Sequence, residues 1–261
     1  MSLRKIIRKQ ETVDERYPFS LDLIRNFDTL VLESPVTIIA GDNGSGKTTL
    51  LEGIAAAANS ILISGEHMEK NHTLSPAFDL ADDLKLIWDV KTNNGFFFRA
   101  SDYKTYTRSI AIMREEAWAK MEEIKQRDPN SLEILPYART YYELQSLYGD
   151  GLEKRSHGES FFDLFQARFR PGGFYILDEP EAPLSPQNQL SLLAMIHDMT
   201  KEGAKFLIST HSPIFMAYPD ADLYEIRDGV LIQSNFEEMS HVQLTREFLN
   251  APERFLRHLF D

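Results

Sequence analysis

Short apolar runs, rich in β-branched and aromatic side chains, recur along the chain. The three clearest are Val36–Ala40, Phe174–Leu177 and Phe206–Thr210. Runs of this length and composition are typical of strands that are buried on both faces of a parallel sheet. Helical patterns alternate with them, so the sequence predicts an α/β fold with a mostly parallel core sheet.

Between the first two of these runs the pattern changes. Leu84–Val90 and Phe96–Ala100 predict a pair of strands, and the charged stretch from about residue 103 to residue 169 predicts helices. Farther along, Ser185 is expected to cap a helix that has Pro186 at its first position.

The polar residues 1–18 are expected to be partly mobile. They include a basic group that we expect to form a solvated face: Arg4, Lys5, Arg8 and Lys9. We predict a single domain over residues 1–261. It is expected to contain an α/β lobe (19–100 and 173–235), a helical lobe (about 103–169) and two short C-terminal helices (238–261).

A glycine-rich loop joins the first apolar run to a helical pattern, and it fits Gly-x-x-x-x-Gly-Lys-[Ser/Thr], the phosphate-binding P-loop. Glycines let the backbone turn its N–H groups toward a phosphate, and the helix N-terminus adds a positive dipole end. Lys47 is expected to reach the β- and γ-phosphates, and the Thr48 hydroxyl to hold Mg²⁺. The predicted nucleotide-binding residues are Gly41, Asp42, Asn43, Gly44, Ser45, Gly46, Lys47, Thr48 and Thr49.

Polar residues follow the other two apolar runs at the points where the strands should end. Asp178 and Glu179 come directly after Leu177, and His211 follows Thr210. The carboxyl ends of parallel strands meet at the sheet edge where the P-loop also lies. We therefore expect Asp178 to hold the Mg²⁺ water shell, Glu179 to deprotonate the attacking water, and His211 to sense the γ-phosphate.

A second anion-binding pattern lies upstream of Asp178. Ser156, Gly158 and Glu159 open a helix whose apolar face is formed by Phe161, Leu164, Phe165 and Phe169. A small polar residue, a glycine and an acid at a helix N-terminus suit an anion site, although an ordinary helix cap has the same composition. The position of the pattern, just before the Asp178 strand, favours the anion site.

Composition and charge exclude several kinds of site and partner. The chain has no cysteine, which excludes disulfides, iron–sulfur clusters and thiolate zinc sites. Its apolar stretches are too short to span a bilayer, and no apolar signal core follows the N-terminal basic residues, so we expect a cytoplasmic protein without membrane insertion. The net charge of −12 does not favour DNA as a constitutive partner, because phosphate contacts require a basic surface.

These elements, in this order, resemble the ATP-binding-cassette (ABC) ATPase superfamily over roughly residues 20–235. The P-loop, Ile176–Pro180 and Ser209–Ser212 match that family closely, and Ser156–Glu159 is similar to its signature motif. The resemblance implies a P-loop NTPase fold of the ABC head type, with a mostly parallel core sheet, antiparallel strands and a helical lobe. The forms that these motifs take in this chain are most similar to those of small stand-alone ATPases related to the SMC and RecF-like branch.

The same resemblance implies an ATPase that uses ATP and Mg²⁺. In this family two heads enclose two ATP molecules, and Ser156 and Gly158 of one chain would meet the γ-phosphate bound by the other. An ATP-dependent homodimer is therefore expected, with a further partner protein that the sequence does not identify.

Several positions depart from the family pattern. Arg155 and His157 replace a leucine and a glycine of the signature, and Ala182–Ser185 lacks the aspartate that usually links the two sites. The glutamine that joins the sheet to the helical lobe is missing, and Arg99 or Ser101 is expected to take its place. The aromatic residues that could stack on adenine are Tyr17, Phe19 and Phe27.

Three uses of the ATP cycle are compatible with this sequence. The favoured one is regulation or remodelling of a partner complex, as in the SMC and RecF-like branch or in defence systems. The alternatives are the ATP-binding subunit of an ABC transporter and an ATP-dependent clamp with vestigial hydrolysis. Only 109 positions separate Lys47 from Ser156 and they show no sustained heptad pattern, so no SMC-type coiled-coil arm is expected.

Overall fold

The computed structural model describes residues 3–9, 15–149 and 157–260 of the chain. Within these ranges the strands form two sheets, one of six strands and one of three. The strands are β1 (Leu3–Arg8), β2 (Thr29–Val31), β3 (Val36–Ala40), β4 (Leu84–Trp88), β5 (Phe97–Arg99), β6 (Phe174–Asp178), β7 (Lys205–Thr210), β8 (Asp222–Arg227) and β9 (Val230–Gln233).

Helices pack on both faces of the six-stranded sheet. The helices are α1 (Asp22–Asn26), α2 (Lys47–Ala57), α3 (Ser75–Asp82), α4 (Ala100–Arg127), α5 (Leu135–Tyr148), α6 (His157–Arg168), α7 (Pro186–Lys201), α8 (Pro213–Met216), α9 (Ser240–Asn250) and α10 (Pro252–Phe260). The predicted cap of α7 is confirmed, because the Ser185 hydroxyl accepts the N–H of Asn188 and Pro186 begins the helix. The two predicted C-terminal helices correspond to α9 and α10.

The six-stranded sheet has the order β5-β6-β7-β3-β8-β9. All neighbouring pairs are parallel except the pair of β9 and β8. Every residue of β3, β6 and β7 is buried, because each strand lies between two apolar layers. The predicted α/β class with a mostly parallel core sheet is therefore confirmed.

The two apolar layers show the two-residue period of a strand. Ile38 belongs to the buried cluster on one side of the sheet, which includes Phe165 of α6, whereas its neighbour Ile39 belongs to the cluster on the other side, which includes Leu51 of α2. The second layer also takes up α3 and the three-stranded sheet. The arrangement places α2, and the loop before it, at the carboxyl end of β3 in the middle of the core sheet.

The predicted pairing of Leu84–Val90 with Phe96–Ala100 is wrong. Both segments contain strands, but β4 pairs with β1 in the three-stranded sheet, whereas β5 pairs in parallel with β6. Closeness in sequence favoured pairing of the two segments with each other. The chain instead passes from one sheet to the other, because β5 completes the core sheet beside Asp178.

The prediction for the N-terminal residues is also wrong where the structure describes them. Residues 3–8 form β1, the central strand of the three-stranded sheet, and Leu3 and Ile6 are fully buried. Arg8 is buried as well, and its Nε donates to Asp83 at 2.7 Å. Arg4, in contrast, is exposed, so only part of the basic group contacts solvent.

Candidate functional site

The P-loop connects β3 to α2, as the sequence predicts. Gly46 has a φ of +94° and Gly44 a φ of +78°, both in the left-handed region that favours glycine. Gly41 is constrained by space instead, since a Cβ there would lie 3.0 Å from the Cβ of Ile226. The loop therefore needs its glycines both for its backbone turn and for close packing on β8.

Lys47 begins α2 and folds back over the loop. Its Nζ donates to the carbonyl oxygens of Gly41 at 2.8 Å and Asp42 at 2.9 Å. Burial lowers the pKa of this ammonium group, and the negative charges of Glu179 and Asp178 partly offset the shift. The cation is thus held beside the place where a phosphate would enter.

Thr48 and Asp178 meet although 130 positions separate them. The Thr48 hydroxyl donates to Oδ2 of Asp178 at 2.8 Å, and the Ser209 hydroxyl donates to Oδ1 of the same carboxylate. Burial raises the pKa of Asp178, and the two hydroxyl donors act in the opposite direction. The buried carboxyl and the Thr48 hydroxyl give two hard oxygen ligands side by side, which suits Mg²⁺.

Glu179 begins the turn after β6 with a φ of +50°, an uncommon value for a residue other than glycine. Its N–H donates to the Ser209 carbonyl at 3.0 Å, which ties this turn to the neighbouring strand β7. Its Oε1 lies 3.2 Å from Nε2 of His211. The predicted base and the predicted sensor are therefore brought together at the carboxyl ends of β6 and β7.

The position of His211 is set by two further contacts. Its backbone N–H donates to Oε1 of Glu181 at 2.7 Å, and its Nδ1 lies 3.3 Å from Nε2 of His241 on α9. Burial lowers the pKa of His211, with a further lowering from Lys47 and an opposing effect of Glu179. The imidazole is consequently favoured in its neutral form.

The predicted signature residues fall at the edge of the described chain. Ser156 lies outside the described residues, together with Arg155. Helix α6 begins at His157 and contains Gly158 and Glu159 in its first turn, but their side chains lie outside the described part. Farther along α6, Phe161, Leu164 and Phe165 are fully buried, as the predicted apolar face requires.

The candidate adenine-stacking residues differ in exposure. Phe19 and Phe27 are 5% and 2% exposed and belong to the core layer that contains α2. Tyr17 is 50% exposed, and its hydroxyl lies 3.0 Å from the Thr49 hydroxyl. Tyr17 is thus the candidate whose ring is accessible beside the P-loop.

Arg99 ends β5 at the position expected for the missing glutamine. Its guanidinium pairs with Glu52 of α2 at 2.6 Å and with Asp102 in the first turn of α4, also at 2.6 Å. The Ser101 hydroxyl donates to Oδ1 of the neighbouring Asp102 at 3.3 Å. Arg99 therefore connects the P-loop helix to the long helix that follows β5.

Some residues of the site were absent from the sequence predictions. Ser209 and Glu181 lie within recognised segments, yet nothing in their spacing assigns them to Asp178 and His211. Glu52 and His241 were also missed, because an acid on a helix and a histidine in a polar tail have no distinctive pattern. Only their long-range contacts assign them to the site.

None of the helices in residues 3–9, 15–149 and 157–260 is both long enough and apolar enough to cross a membrane.

Several curated proteins with similar sequences are named as ATP-binding proteins. The energy-coupling factor transporter ATP-binding protein EcfA2 of Mesoplasma florum is 22% identical over 259 residues, which cover 95% of this chain and 78% of that protein. The corresponding EcfA protein of Methanosphaera stadtmanae is 24% identical over 228 residues, covering 84% and 75%. Both alignments extend well beyond the P-loop.

Solved structures show the same fold. A nucleotide-free ATP-binding cassette from an ABC transporter aligns with a TM-score of 0.51 and 16% identity, covering 95% of this chain and 96% of that one. Another ATP-binding cassette of an ABC transporter aligns with a TM-score of 0.50 and 18% identity, covering 96% and 98%. At this identity the likeness concerns the fold alone.

The family profile of AAA_23, an AAA domain, matches residues 19–151, just over half of the chain. The matched stretch includes the P-loop and the helices α4 and α5. This match shows that the chain belongs to the AAA domain family. Together with the α/β fold and the contact between Thr48 of the P-loop and Asp178, it identifies the chain as an ABC-type P-loop ATPase.

Proposed function

We propose that this ATPase works as an ATP-enclosing homodimer and powers a membrane transporter whose membrane-spanning part is a separate protein. The observation that carries the ATP hydrolysis in this proposal is the convergence at the P-loop. Thr48 lies 2.8 Å from Asp178, and Glu179 lies 3.2 Å from His211, at the carboxyl ends of adjacent strands. This arrangement suits phosphoryl transfer from ATP to water.

The nucleotide phosphates would bind over the P-loop. The backbone N–H groups of Gly44 to Thr48 would surround them, and Lys47 would exchange its contacts with the Gly41 and Asp42 carbonyls for phosphate oxygens. The oxygens of Thr48 and Asp178 would hold Mg²⁺, which neutralises charge on the phosphates when it is bound. The accessible ring of Tyr17 would stack on the adenine.

Hydrolysis would then depend on Glu179 and His211. Water forms a bond to the γ-phosphorus as the bond to the bridging oxygen breaks, and Glu179 accepts the proton from that water. ADP and phosphate are the products. The neutral His211 would donate from Nε2 toward Glu179 or toward a γ-phosphate oxygen. It would thereby fix the position of the base relative to the phosphate.

A single chain would leave the γ-phosphate exposed on one side. Ser156, Gly158 and Glu159 of a second copy would cover that side with a helix N-terminus. ATP binding would bring the copies together and hydrolysis would separate them, which is a conformational cycle that a partner can use.

The transporter proposal is supported by the names of the relatives from Mesoplasma florum and Methanosphaera stadtmanae. A groove of about 310 Å³ beside Arg99 offers a docking surface for a segment of the membrane partner. Because Arg99 is paired with Glu52 of the P-loop helix, the groove is connected to the nucleotide site. Its lining includes Leu62, Ile63, Phe97, Arg99, Tyr106 and Met113.

A second candidate is regulation or remodelling of a partner complex. Arg99 replaces the glutamine usual in transporter heads, and Ala182–Ser185 lacks the linking aspartate, so the coupling differs from the common pattern. A clamp with vestigial hydrolysis rests on the same departures. These alternatives predict a soluble partner rather than a membrane protein.

The dimer is tested with two variants. Glu179→Gln keeps the size of the side chain but cannot accept the proton, so hydrolysis should fall by about 10²–10⁴-fold while the MgATP-bound dimer accumulates. Ser156→Arg should bind ATP yet remain monomeric, because in the proposed dimer its bulk would lie where the partner's phosphate must sit. Light scattering with and without MgATP distinguishes them. A monomeric Glu179→Gln protein beside an active parent would refute the enclosed-ATP mechanism.

The partner is tested with the Glu179→Gln protein and membrane vesicles prepared from the source cells. MgATP should promote sedimentation with the vesicles, and adding Met113→Glu in the groove should abolish it. Met113 is 46% exposed, so this change should leave ATP binding intact. Binding to a soluble protein complex in place of vesicles would favour the second candidate.

A further inference from the structure

A second histidine lies behind His211, on the side away from Glu179. Nε2 of His241 is 3.3 Å from Nδ1 of His211, and the ring centroids are 5.3 Å apart. The contact closes a chain of three side chains, from His241 through His211 to Glu179. His241 comes from α9, an element that follows the core sheet.

The start of α9 is firmly placed, so this contact does not depend on a loose tail. Met239 and Val242 are buried in the core layer on one side of the sheet. The N–H of Ser240 donates to Oε1 of Glu225 on β8 at 2.9 Å. His241 is thus anchored on both sides along the chain.

The hydrogen-bonding capacities of the three side chains determine where the protons lie. The Glu179 carboxylate accepts, so the neutral His211 must carry its proton on Nε2 and leave a lone pair on Nδ1. That lone pair requires a donor, which makes Nε2 of His241 the protonated nitrogen. His241 is then left with a lone pair on its own Nδ1.

An independent observation agrees with this proton order. Nδ1 of His241 is buried and has no hydrogen-bond partner among the described residues. A buried N–H without an acceptor costs free energy, whereas an imidazole lone pair without a donor costs less. Asp42 is the nearby carboxylate, but its Oδ1 lies 3.9 Å from Nε2 of His241, beyond hydrogen-bond distance.

We infer that His241 is a positioning residue that fixes His211 in the tautomer with the proton on Nε2. In this tautomer the N–H of His211 faces Glu179 and the space for the γ-phosphate. In the other tautomer a lone pair would face the carboxylate, and the contact would become repulsive. The catalytic consequence rests on the proposed function, whereas the proton order can be tested without nucleotide.

The test compares two substitutions at His241. His241→Gln keeps an amide donor near the position of Nε2, whereas His241→Phe keeps a ring without any donor. We expect His241→Phe to lower kcat by about 10-fold, the equivalent of one neutral hydrogen bond, with an unchanged KM for ATP. His241→Gln should restore most of the rate, and His197→Phe, on α7, serves as the matched control.

Long-range ¹H–¹⁵N spectra of the histidine side chains give a readout that a structural role would not move. The parent should show His211 protonated on Nε2, and His241→Phe should show a mixture of tautomers. A parent His211 protonated on Nδ1, or a spectrum unchanged by His241→Phe, overturns the inference. If the parent hydrolyses no ATP, the proposed function fails, while the spectra still decide the role of His241.

Discussion

Replacing Arg99 by methionine should destabilise the protein and disconnect α2 from α4. The guanidinium lies between Glu52 and Asp102, and the side chains of Arg99 and Glu52 are only 11% and 13% exposed. Removing one member of a buried ion pair leaves the other charge without compensation. The usual loss is about 3–5 kcal/mol, which is a large part of the roughly 5–15 kcal/mol that stabilises a domain.

Most of this loss of stability should come from the charge of Glu52 that is left without its partner. Burial already raises the pKa of Glu52, and Arg99 is the partner that favours its charged form. Asp102 is 38% exposed, so its own pair with Arg99 should contribute about 0–1 kcal/mol. Arg99→Met should therefore be far more harmful than Asp102→Asn, and Glu52→Gln added to Arg99→Met should recover much of the stability.

Urea unfolding of the parent, both single variants and the double variant measures this coupling. With a slope of about 2–3 kcal/mol per molar urea, Arg99→Met should lower the midpoint by about 1–2.5 M. The penalty should shrink as the pH falls, because an unpaired buried Glu52 has a raised pKa and can be buried as the neutral acid. Additive effects of Arg99→Met and Glu52→Gln, or a penalty independent of pH, would refute the reasoning.

Three other outcomes follow from the site and from the charge of the chain. Lys47→Ala should weaken ATP binding by about 10–100-fold with the fold retained, since one charge-assisted contact is lost; unchanged affinity in calorimetry would contradict the P-loop assignment. Ser209→Ala removes a donor to Asp178, so the Mg²⁺ concentration for half-maximal ATPase activity should rise about tenfold, whereas an unchanged Mg²⁺ titration would mean that this contact is dispensable. With a net charge of −12, binding to duplex DNA should be weak and fall steeply with salt in anisotropy titrations; tight, salt-insensitive binding would contradict this.

The features that could be predicted from the sequence are those whose causes are local. The strand–loop–helix unit of β3 and α2 lies within 22 consecutive residues, from Val36 to Ala57, and Gly44 and Gly46 are required by the backbone of the loop itself. The buried strands β6 and β7 could be predicted for a similar reason. The central residues Phe174–Leu177 and Phe206–Ile208 are all apolar, so both faces of each strand require an apolar cover, which is typical of a parallel core sheet.

One error of the sequence analysis concerns the partner of a strand, and another concerns the existence of a strand. The segments of β4 and β5 were recognised, but an apolar pattern records that a face is buried and not which surface covers it. The error at β1 is different. Its basic residues suggested a mobile, solvated segment, but residues 3–8 form the central strand of the three-stranded sheet, and Leu3 and Ile6 are fully buried.

Tertiary structure alone decided how the site is held together. The contacts of Asp178 with Ser209, of Arg99 with Glu52 and of His211 with His241 join residues that lie 31, 47 and 30 positions apart. They depend on the strand order, which puts β6 next to β7 and β5 at the edge, and on the packing of α9 against the core sheet. The sequence determined which residues could carry the chemistry of ATP, because loop geometry and strand burial are local properties. Which of them meet, and which protons they share, was decided by packing between distant segments, for which no local pattern exists.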